Sequence, residues 1–300
     1  MVRAGALGDV LLLRRALAAL RRAHHRVHLV TPSVPGRVLV GPGLVEASRF
    51  TPLDGPRVAA WLGGESAGGG LAEDLRADAA VALTRSPDLL DRLRQLAPRV
   101  LQRDPNPPRG IHASSWYAEP ARELGADSTP DPPPLAFTAD EEEAARRVTR
   151  RLPHRFLALH PGSGSVTKNW PAQGFASFAR AHAAGRRWLL VSGPADEESV
   201  ASLSDLPGAV RARGLPLRVL GALLARAGLY VGNDSGVTHL AAAAGAPTLG
   251  LFGPTDAKTW GPVGPRVETV SSPDGTMEGL DLASVQEAIE RLRSKAAKQK

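Results

Sequence analysis

The stretch that most constrains the fold runs from Leu229 to Thr255 and reads LYVGNDSGVTHLAAAAGAPTLGLFGPT. Apolar, β-prone residues at its start predict a strand, and the following glycine and asparagine predict a turn. Asp234 and Ser235 are N-capping residue types, and the alanine-rich run behind them predicts a helix. Gly245 ends that helix, and a second apolar run predicts another buried strand. The stretch is therefore typical of a parallel α/β sheet.

The same stretch predicts a site for an anion. Glycines at positions 232 and 236 leave the backbone N–H groups of the turn uncovered. The helix that follows adds partial positive charge at its N-terminus, and phosphate is the natural ligand of such a turn. A plain strand–turn–helix connection capped by Asp234 explains this stretch equally well, so both interpretations stay open at this point.

Length and composition narrow the class of protein. A chain of 300 residues is long for one core and predicts two domains. The absence of cysteine excludes disulfides, thiolate metal sites and a cysteine nucleophile, and it fits a reducing compartment. We find no apolar run of about 18 residues and no leader-like start, which predicts a cytoplasmic protein.

The formal net charge of +7 favours anionic partners, such as nucleotides, acidic glycolipids or the inner face of a membrane. No DNA- or RNA-binding motif is present, so nucleic acid is not expected.

The N-terminal half begins with the glycine turn Gly5–Asp9, and a single helix is predicted from about Val10 to Arg22. Only Met1–Ala4 precede the turn, whereas a strand at the centre of a sheet usually has five or six residues. We therefore expect either a truncated first strand or a start that lies inside the natural reading frame. Further elements of this half are predicted at Arg26–Thr31, Ala79–Leu83, Pro87–Leu96 with a cap at Ser86, Val100–Leu101 and Ile111–Leu124.

The proline-rich segment Ser128–Pro134 is predicted to link two domains. Strands alternate with helices on both sides of it, which predicts two doubly wound, Rossmann-like domains facing a cleft, at residues 1–134 and 135–281. In the second half, elements are predicted after Thr138 and at Phe156–His160, Gly174–Ala183, Trp188–Ser192, Glu197–Leu203 and Leu220–Ala227.

Two more segments contain residues suited to ligand binding or catalysis. His160–Pro171, HPGSGSVTKNWP, places a Gly/Ser turn after a strand, and Lys168 on it can reach a phosphate. It is not a Walker A loop, and the alternative for Lys168 is a surface lysine. Asp9 stands at a helix N-terminus, where it is either a plain N-cap or a general base toward an acceptor hydroxyl.

The order and separation of four motifs resemble glycosyltransferase family 9, the heptosyltransferases of lipopolysaccharide core assembly. The motifs are LGD, HPGSGSVTKNWP, GNDSGVTHLAAAAGAPTLGLFGPT and WGP. The late motif is the most specific, and the resemblance runs from Val2 to about Pro262. It implies the GT-B fold, with an acceptor-binding N-terminal domain and a nucleotide-sugar-binding C-terminal domain. It also suggests that a last helix at residues 282–295 packs back on the first domain.

The resemblance implies an inverting transfer in which Asp9 is the base and Lys168 binds the donor diphosphate. The usual donor of the family is ADP-heptose, and the acceptor is a glycolipid or another glycan. No Asp-x-Asp pair stands where a metal clamp needs it, so neither a metal nor another cofactor is expected. The other implied donor-binding residues are Ser163, Thr167, Glu197 on the ribose, Asp234 against the sugar, Ser235, Gly236, Val237 and His239, the last with a buried structural histidine as the alternative.

The sequence departs from the family in two places: the short start before LGD, and Arg15 where a proline usually stands. Three rival functions stay open, namely a catalytically silent nucleotide-sugar-binding protein, a nucleotide-sugar epimerase of related fold, and a Rossmann oxidoreductase. The last needs Gly-x-Gly-x-x-Gly after the first strand, which Gly5–Gly8 does not supply.

Overall fold

A computed structural model of the chain describes residues 1–40, 47–63, 70–126, 131–183, 185–193 and 196–297. The chain divides into two compact units, Met1–Pro132 and Pro133–Lys300. Each unit is built on its own parallel sheet. Of the predicted linker, residues 128–130 lie outside the described part.

The first unit has five parallel strands in the order β3-β2-β1-β4-β5. The strands are β1 (Val2–Arg3), β2 (His28–Thr31), β3 (Arg49–Pro52), β4 (Ala79–Leu83) and β5 (Arg99–Arg103). The helices are α1 (Leu7–Leu11), α2 (Arg14–Arg22), α3 (Ser33–Gly36), α4 (Pro56–Leu62), α5 (Leu71–Leu75), α6 (Pro87–Arg94) and α7 (Ala113–Glu123).

The two-residue strand β1 lies at the centre of this sheet. Val2 aligns with Val30 of β2 on one side and with Ala82 of β4 on the other. The expectation that so short a strand cannot form a sheet centre is therefore wrong. Neighbours on both sides supply the hydrogen-bonding partners, and the Val2 side chain is buried in the core of the unit.

The single helix predicted from Val10 to Arg22 is also wrong, because the chain forms α1 and α2 with a tight turn between them. Residues 10–13 are four consecutive apolar side chains, and all of them are buried. Four successive residues spread around a straight α-helix and cannot share one face. The break lets them all reach the core.

Elements with strong local signals agree with prediction. β4 covers Ala79–Leu83 as predicted, and the hydroxyl of Ser86 accepts a hydrogen bond from the Leu89 N–H at the start of α6. The linker prolines fall at the boundary of the two units.

The second unit has six parallel strands in the order β11-β10-β9-β6-β7-β8, the order of a doubly wound dinucleotide-binding domain. The strands are β6 (Leu157–His160), β7 (Trp188–Ser192), β8 (Ala209–Arg213), β9 (Leu229–Asn233), β10 (Thr248–Phe252) and β11 (Val267–Ser271). The helices are α8 (Ala139–Thr149), α9 (Ala172–Ala183), α10 (Glu197–Ser204), α11 (Leu217–Leu224), α12 (Gly236–Ala243), α13 (Ala257–Trp260) and α14 (Leu282–Ala297).

The sequence analysis missed β8 and β11, which are the two outermost strands of this sheet. Both are only partly buried, so neither carries the continuous apolar run that marks a central parallel strand.

The last helix, α14, belongs to the second unit. Its side chains Val285, Ala288 and Ile289 lie in the same core as Phe175 and Trp188. These buried side chains complete the core of the second unit, and the packing of residues 282–295 on the first domain stays a prediction. No helix among the described residues is both long and apolar enough to cross a membrane.

Candidate functional site

The candidate donor site lies at the carboxyl edge of the second sheet, where β6 and β9 are neighbours. The strand order reverses at this pair, and α/β sheets bind ligands at such a switch point. Asn233, at the end of β9, is fully buried. Its Nδ2 donates to the Pro161 carbonyl at 2.7 Å, and its Oδ1 accepts from the Trp170 N–H at 3.0 Å. Asn233 thereby holds the loop after β6 against the turn after β9.

Lys168 and Asp234 come together from these two segments. The Lys168 Nζ lies 2.8 Å from the Asp234 Oδ2, which also accepts the Thr255 hydroxyl at 2.7 Å. The Lys168 side chain is 31% exposed and that of Asp234 10%. The ammonium can donate three hydrogen bonds, so this pairing does not exhaust it.

The turn that the sequence predicts to bind an anion lies at the N-terminus of α12. Ser235 is the N-cap, and its hydroxyl accepts from the Thr238 N–H at 3.4 Å. The N–H groups of a first helical turn have no partner within the helix. Gly236 and Val237 stand in that turn and are partly exposed, so a phosphate can approach their backbone.

Behind Ser235 lies a pair that the sequence analysis did not assign to the site. His160 ends β6 and is buried; its Nε2 lies 3.0 Å from the Asp196 Oδ2 and its Nδ1 lies 3.3 Å from the Ser235 Oγ. The Gly193 N–H also donates to Asp196, at 2.6 Å. Burial raises the pKa of Asp196, but the bonds from His160 and Gly193 outweigh burial and hold this pKa below its usual value.

The remaining predicted donor residues have other contacts. The Ser163 hydroxyl donates to the Ser165 carbonyl, and the Thr167 hydroxyl bonds the Ser165 hydroxyl. Glu197, at the start of α10, is exposed and pairs with Arg213 at the end of β8. His239 is only 5% exposed, which fits the buried structural histidine. Their roles toward a ligand stay predictions.

The carboxyl edge of the first sheet carries Asp9. It is the third residue of α1, and Ala6 is the N-cap, so the interpretation of Asp9 as the N-cap itself is corrected. The Asp9 Oδ2 accepts the Ala6 N–H at 2.9 Å, and the Asp9 Oδ1 accepts from the Arg3 guanidinium at 2.6 Å. The Asp9 side chain is 24% exposed, so a hydroxyl group can reach it.

Arg3 is a further residue that was not predicted from the sequence. It is 7% exposed, donates to the Tyr117 hydroxyl at 3.2 Å and lies over the Tyr117 ring. Tyr117 donates onward to the Pro105 carbonyl, and burial raises the pKa of Tyr117 to about 12. A buried arginine almost always has a partner, so an arginine in a strand just before a conspicuous aspartate was the available signal.

Arg15, the departure from the family pattern, donates to the Ser115 hydroxyl at 2.8 Å and pairs with Asp131. It joins α2 to α7 and to the end of the first unit. Among the described residues no group of three or more His, Cys, Asp or Glu side chains is placed to hold a metal ion.

A family model described as glycosyltransferase family 9 (heptosyltransferase) matches residues 94–288. The chain belongs to glycosyltransferase family 9. The match includes every predicted donor residue of the second unit, from Ser163 to His239.

Relatives of this family member agree with the assignment. The lipopolysaccharide heptosyltransferase 3 of Escherichia coli is 32% identical over 130 residues, which are 39% of this chain and 38% of that protein. The chain thus spans well under half of this curated relative.

Three solved structures share the GT-B fold of this family member. The family 9 glycosyltransferase of Veillonella parvula has a TM-score of 0.82 at 19% identity, over 97% of this chain and 95% of that one. The E. coli heptosyltransferase WaaC with ADP has a TM-score of 0.73 at 19% identity, over 97% and 98%. The E. coli glycosyltransferase TibC, described as iron-containing and dodecameric, has a TM-score of 0.57 at 15% identity, over 100% and 79%.

Proposed function

We propose that this protein is an inverting glycosyltransferase that moves a sugar from a nucleoside-diphosphate sugar to a hydroxyl of a glycan or glycolipid. The observation that carries the proposal is the pairing of Lys168 with Asp234 beside the N-terminus of α12. A lysine, a helix N-terminus and a switch point together form a site for a diphosphate. Membership of the heptosyltransferase family and the ADP complex of WaaC favour ADP-heptose as donor.

The donor end of the reaction needs groups that stabilise a departing diphosphate. As the sugar–phosphate bond breaks, negative charge grows on the diphosphate, and preformed N–H donors and an ammonium lower the energy of that state. Lys168 supplies the ammonium and the first turn of α12 supplies the N–H groups. Asp234, fixed by Lys168 and Thr255, is proposed to contact the sugar.

The acceptor end needs a base. We assign this role to Asp9, whose carboxylate would take the proton of the acceptor hydroxyl while that oxygen bonds to the anomeric carbon. Attack from the face opposite the diphosphate inverts the anomeric configuration. Arg3 holds one oxygen of Asp9 in place and keeps the carboxylate oriented.

The transfer is proposed to need no metal, because Lys168 and the helix N-terminus carry the charge stabilisation. The iron described for TibC makes this a point to test. Removing metal ions with EDTA should leave the rate of transfer unchanged, and loss of activity that iron or magnesium restores would contradict this part.

The central experiment incubates the protein with ADP-heptose and a lipopolysaccharide core acceptor and follows release of ADP together with the mass of the product. Release of ADP that depends on the acceptor supports the transferase. Binding of ADP-heptose with neither transfer nor hydrolysis indicates the silent binding protein, and an altered sugar without any acceptor indicates the epimerase. A parallel panel of UDP-, GDP- and dTDP-sugars tests which nucleobase the donor carries.

With a net charge of +7, a peripheral contact with an anionic membrane surface, where a glycolipid acceptor is found, is part of the same proposal. Sedimentation with anionic vesicles at low and high salt tests it, since an electrostatic contact weakens with salt.

A further inference from the structure

The hydrogen bonds around Ser235 can be followed hydrogen by hydrogen. The Thr238 hydroxyl donates its single hydrogen to the Asn233 carbonyl at 2.5 Å. It must therefore act as acceptor toward the Tyr230 hydroxyl at 3.1 Å and the Ser235 hydroxyl at 3.2 Å. The one hydrogen of Ser235 consequently has two acceptors within reach, the Thr238 Oγ1 and the Nδ1 of His160.

The protonation of His160 decides what Ser235 can do. Asp196 accepts the proton on Nε2, which fixes that side of the ring. When the ring is neutral, Nδ1 has only a lone pair, so the ring can accept the Ser235 hydrogen. When the ring carries both protons, Nδ1 donates to the Ser235 oxygen, and the hydroxyl hydrogen is released for another acceptor.

We propose that His160 is a positioning residue that takes up a proton when a nucleoside diphosphate binds, so that the Ser235 hydroxyl turns its hydrogen from the ring to a phosphate oxygen. The inference rests on the proposed function, because it requires a diphosphate at the N-terminus of α12. Beyond the proposed function, the inference states that one proton is bound together with the donor and that the His160–Asp196 pair orients the Ser235 hydroxyl.

The charged groups around the ring favour this exchange. Asp196 is 6% exposed and remains a carboxylate, which compensates the second proton of the imidazole. Tyr230 stays neutral, since burial raises its pKa. Asp234 in the turn after β9 and Lys168 in the loop after β6 form an ion pair, so their charges offset one another. An incoming diphosphate is then the uncompensated charge that draws the proton in.

Binding of a proton and binding of a diphosphate must strengthen each other equally, because linkage is reciprocal. The affinity for diphosphate is therefore expected to rise as the proton concentration rises. A merely structural His160 would change stability on mutation without changing the number of protons bound along with the nucleotide.

The experiment is calorimetric titration of the full-length chain with ADP in several buffers of different ionisation enthalpy, from neutral to mildly alkaline pH. The dependence of the heat on the buffer gives the protons taken up per ADP. The wild type should take up at most about one proton per ADP through His160. His160→Gln, which offers an amide donor and acceptor but cannot gain a proton, should lose that uptake. Protons from ADP itself are common to both proteins and cancel.

His182→Gln is the matched control. This histidine is partly buried in the same unit and stacks on Phe178. Its replacement should leave the proton uptake unchanged. Equal uptake in wild type and His160→Gln overturns the inference, as does loss of uptake in the His182 variant alone.

Ser235→Ala keeps the histidine–aspartate pair and supplies a second measurement if His160→Gln does not fold. It should weaken ADP binding roughly tenfold, as expected for a hydrogen bond to a charged group. Unchanged ADP affinity in Ser235→Ala would overturn the inference by itself. Where His160→Gln folds, adding it to the Ser235→Ala background should weaken ADP binding no further. A full additional loss would show that His160 does not act through Ser235.

Failure of the proposed function gives a different result. If the wild type binds neither ADP nor any other nucleoside diphosphate, the donor site and this inference fall together. If ADP binds tightly with no proton uptake that depends on His160, only the inference is overturned.

Discussion

The Lys168 ammonium lies 2.8 Å from the Asp234 carboxylate, joining two segments that are 66 residues apart in sequence. The sequence analysis expected Lys168 and the turn after β9 to converge on one anion. They do come together, and they also bond to one another. Lys168 is therefore proposed to have two tasks: it neutralises an acidic side chain beside the proposed anion site, and its remaining hydrogens are available to the anion.

Lys168→Ala should weaken ADP binding by about 1.5–3 kcal/mol, the value of a charge-assisted hydrogen bond. The uncovered carboxylate of Asp234 adds repulsion of the same sign. Lys295→Ala is the matched control, because Lys295 also pairs with an acidic residue of the second unit, Glu268. Titration of ADP against the three proteins measures the effect. Equal affinities would remove Lys168 from the site.

Asp234→Asn provides the opposite test of the same pair. Freed from its carboxylate partner, Lys168 should hold ADP at least as tightly as before. Transfer should nevertheless fall, because Asp234 is proposed to contact the sugar. Measuring ADP affinity and turnover on one preparation separates the two effects, and unchanged turnover would contradict the contact with the sugar.

Asp9→Asn should lower transfer by at least about a hundredfold, as expected for loss of a general base, while donor affinity stays nearly constant. If Asp9 were the N-cap itself, asparagine would be expected to replace it with little change in stability, because the two residues cap helices about equally well. The structure changes that expectation, because the two oxygens of Asp9 accept from Arg3 and from the Ala6 N–H. Asparagine has one oxygen, so we expect a loss of about 1–3 kcal/mol in the free energy of unfolding.

Asp88→Asn is the control for this change, since Asp88 stands in the first turn of α6 and is exposed. Thermal unfolding, turnover and donor affinity are measured on all three proteins, with turnover at a temperature where each is folded. Normal turnover in folded Asp9→Asn would show that the base lies elsewhere.

Asp196 predicts a sensitivity to acid. Its pKa is held low in the folded protein, whereas in the unfolded chain an aspartate titrates near its ordinary value of about 4. A depressed carboxyl pKa stabilises the fold above the unfolded value, and this contribution is lost as pH falls through the folded one. The difference in unfolding free energy between wild type and Asp196→Asn should therefore shrink as pH falls from about 5 to 3.

Denaturant titrations at several pH values measure this difference. Asp205→Asn, an exposed change at the end of α10, is the control and should show no such trend. A difference in unfolding free energy that stays constant with pH would mean that the bonds to His160 and Gly193 do not favour the ionised carboxyl.

Gly162→Ala should disturb the same network from the loop side. A β-carbon at Gly162 would lie 1.9 Å from the Asp196 Oδ1, so the carboxylate has to shift, which disturbs its contact with His160. We expect a loss of about 1–3 kcal/mol in stability, as for other overpacked sites, together with weaker ADP binding. Gly164→Ala, two residues along the loop, meets no heavy atom within 4 Å and is the control. Equal behaviour of the two variants in thermal unfolding and ADP titration would contradict the packing argument.

Local sequence determined many of the elements and the outline of the donor site. Ser86 is the N-cap of α6 as predicted, and Ser235, one of the two N-capping residue types noted before α12, is the N-cap of that helix. The interpretation of Asp234 as this cap is corrected. Local sequence indicates caps because a cap depends on groups within three residues of it. The edge strands β8 and β11 were not predicted, since their partly buried faces lack a continuous apolar run. The family was evident from the motifs around the turns after β6 and β9.

Tertiary structure alone decided the partners of the buried polar groups. The sheet order sets β6 beside β9, which brings His160 to Ser235 across 75 residues and Lys168 to Asp234 across 66. The central place of Val2 and Arg3 likewise depends on strands that flank them from elsewhere in the chain. Periodicity and capping act over a few residues, whereas the pairing of charges is fixed by which strands are neighbours. The sequence therefore indicated the candidate site, and the packing of the sheet determined which of its groups meet.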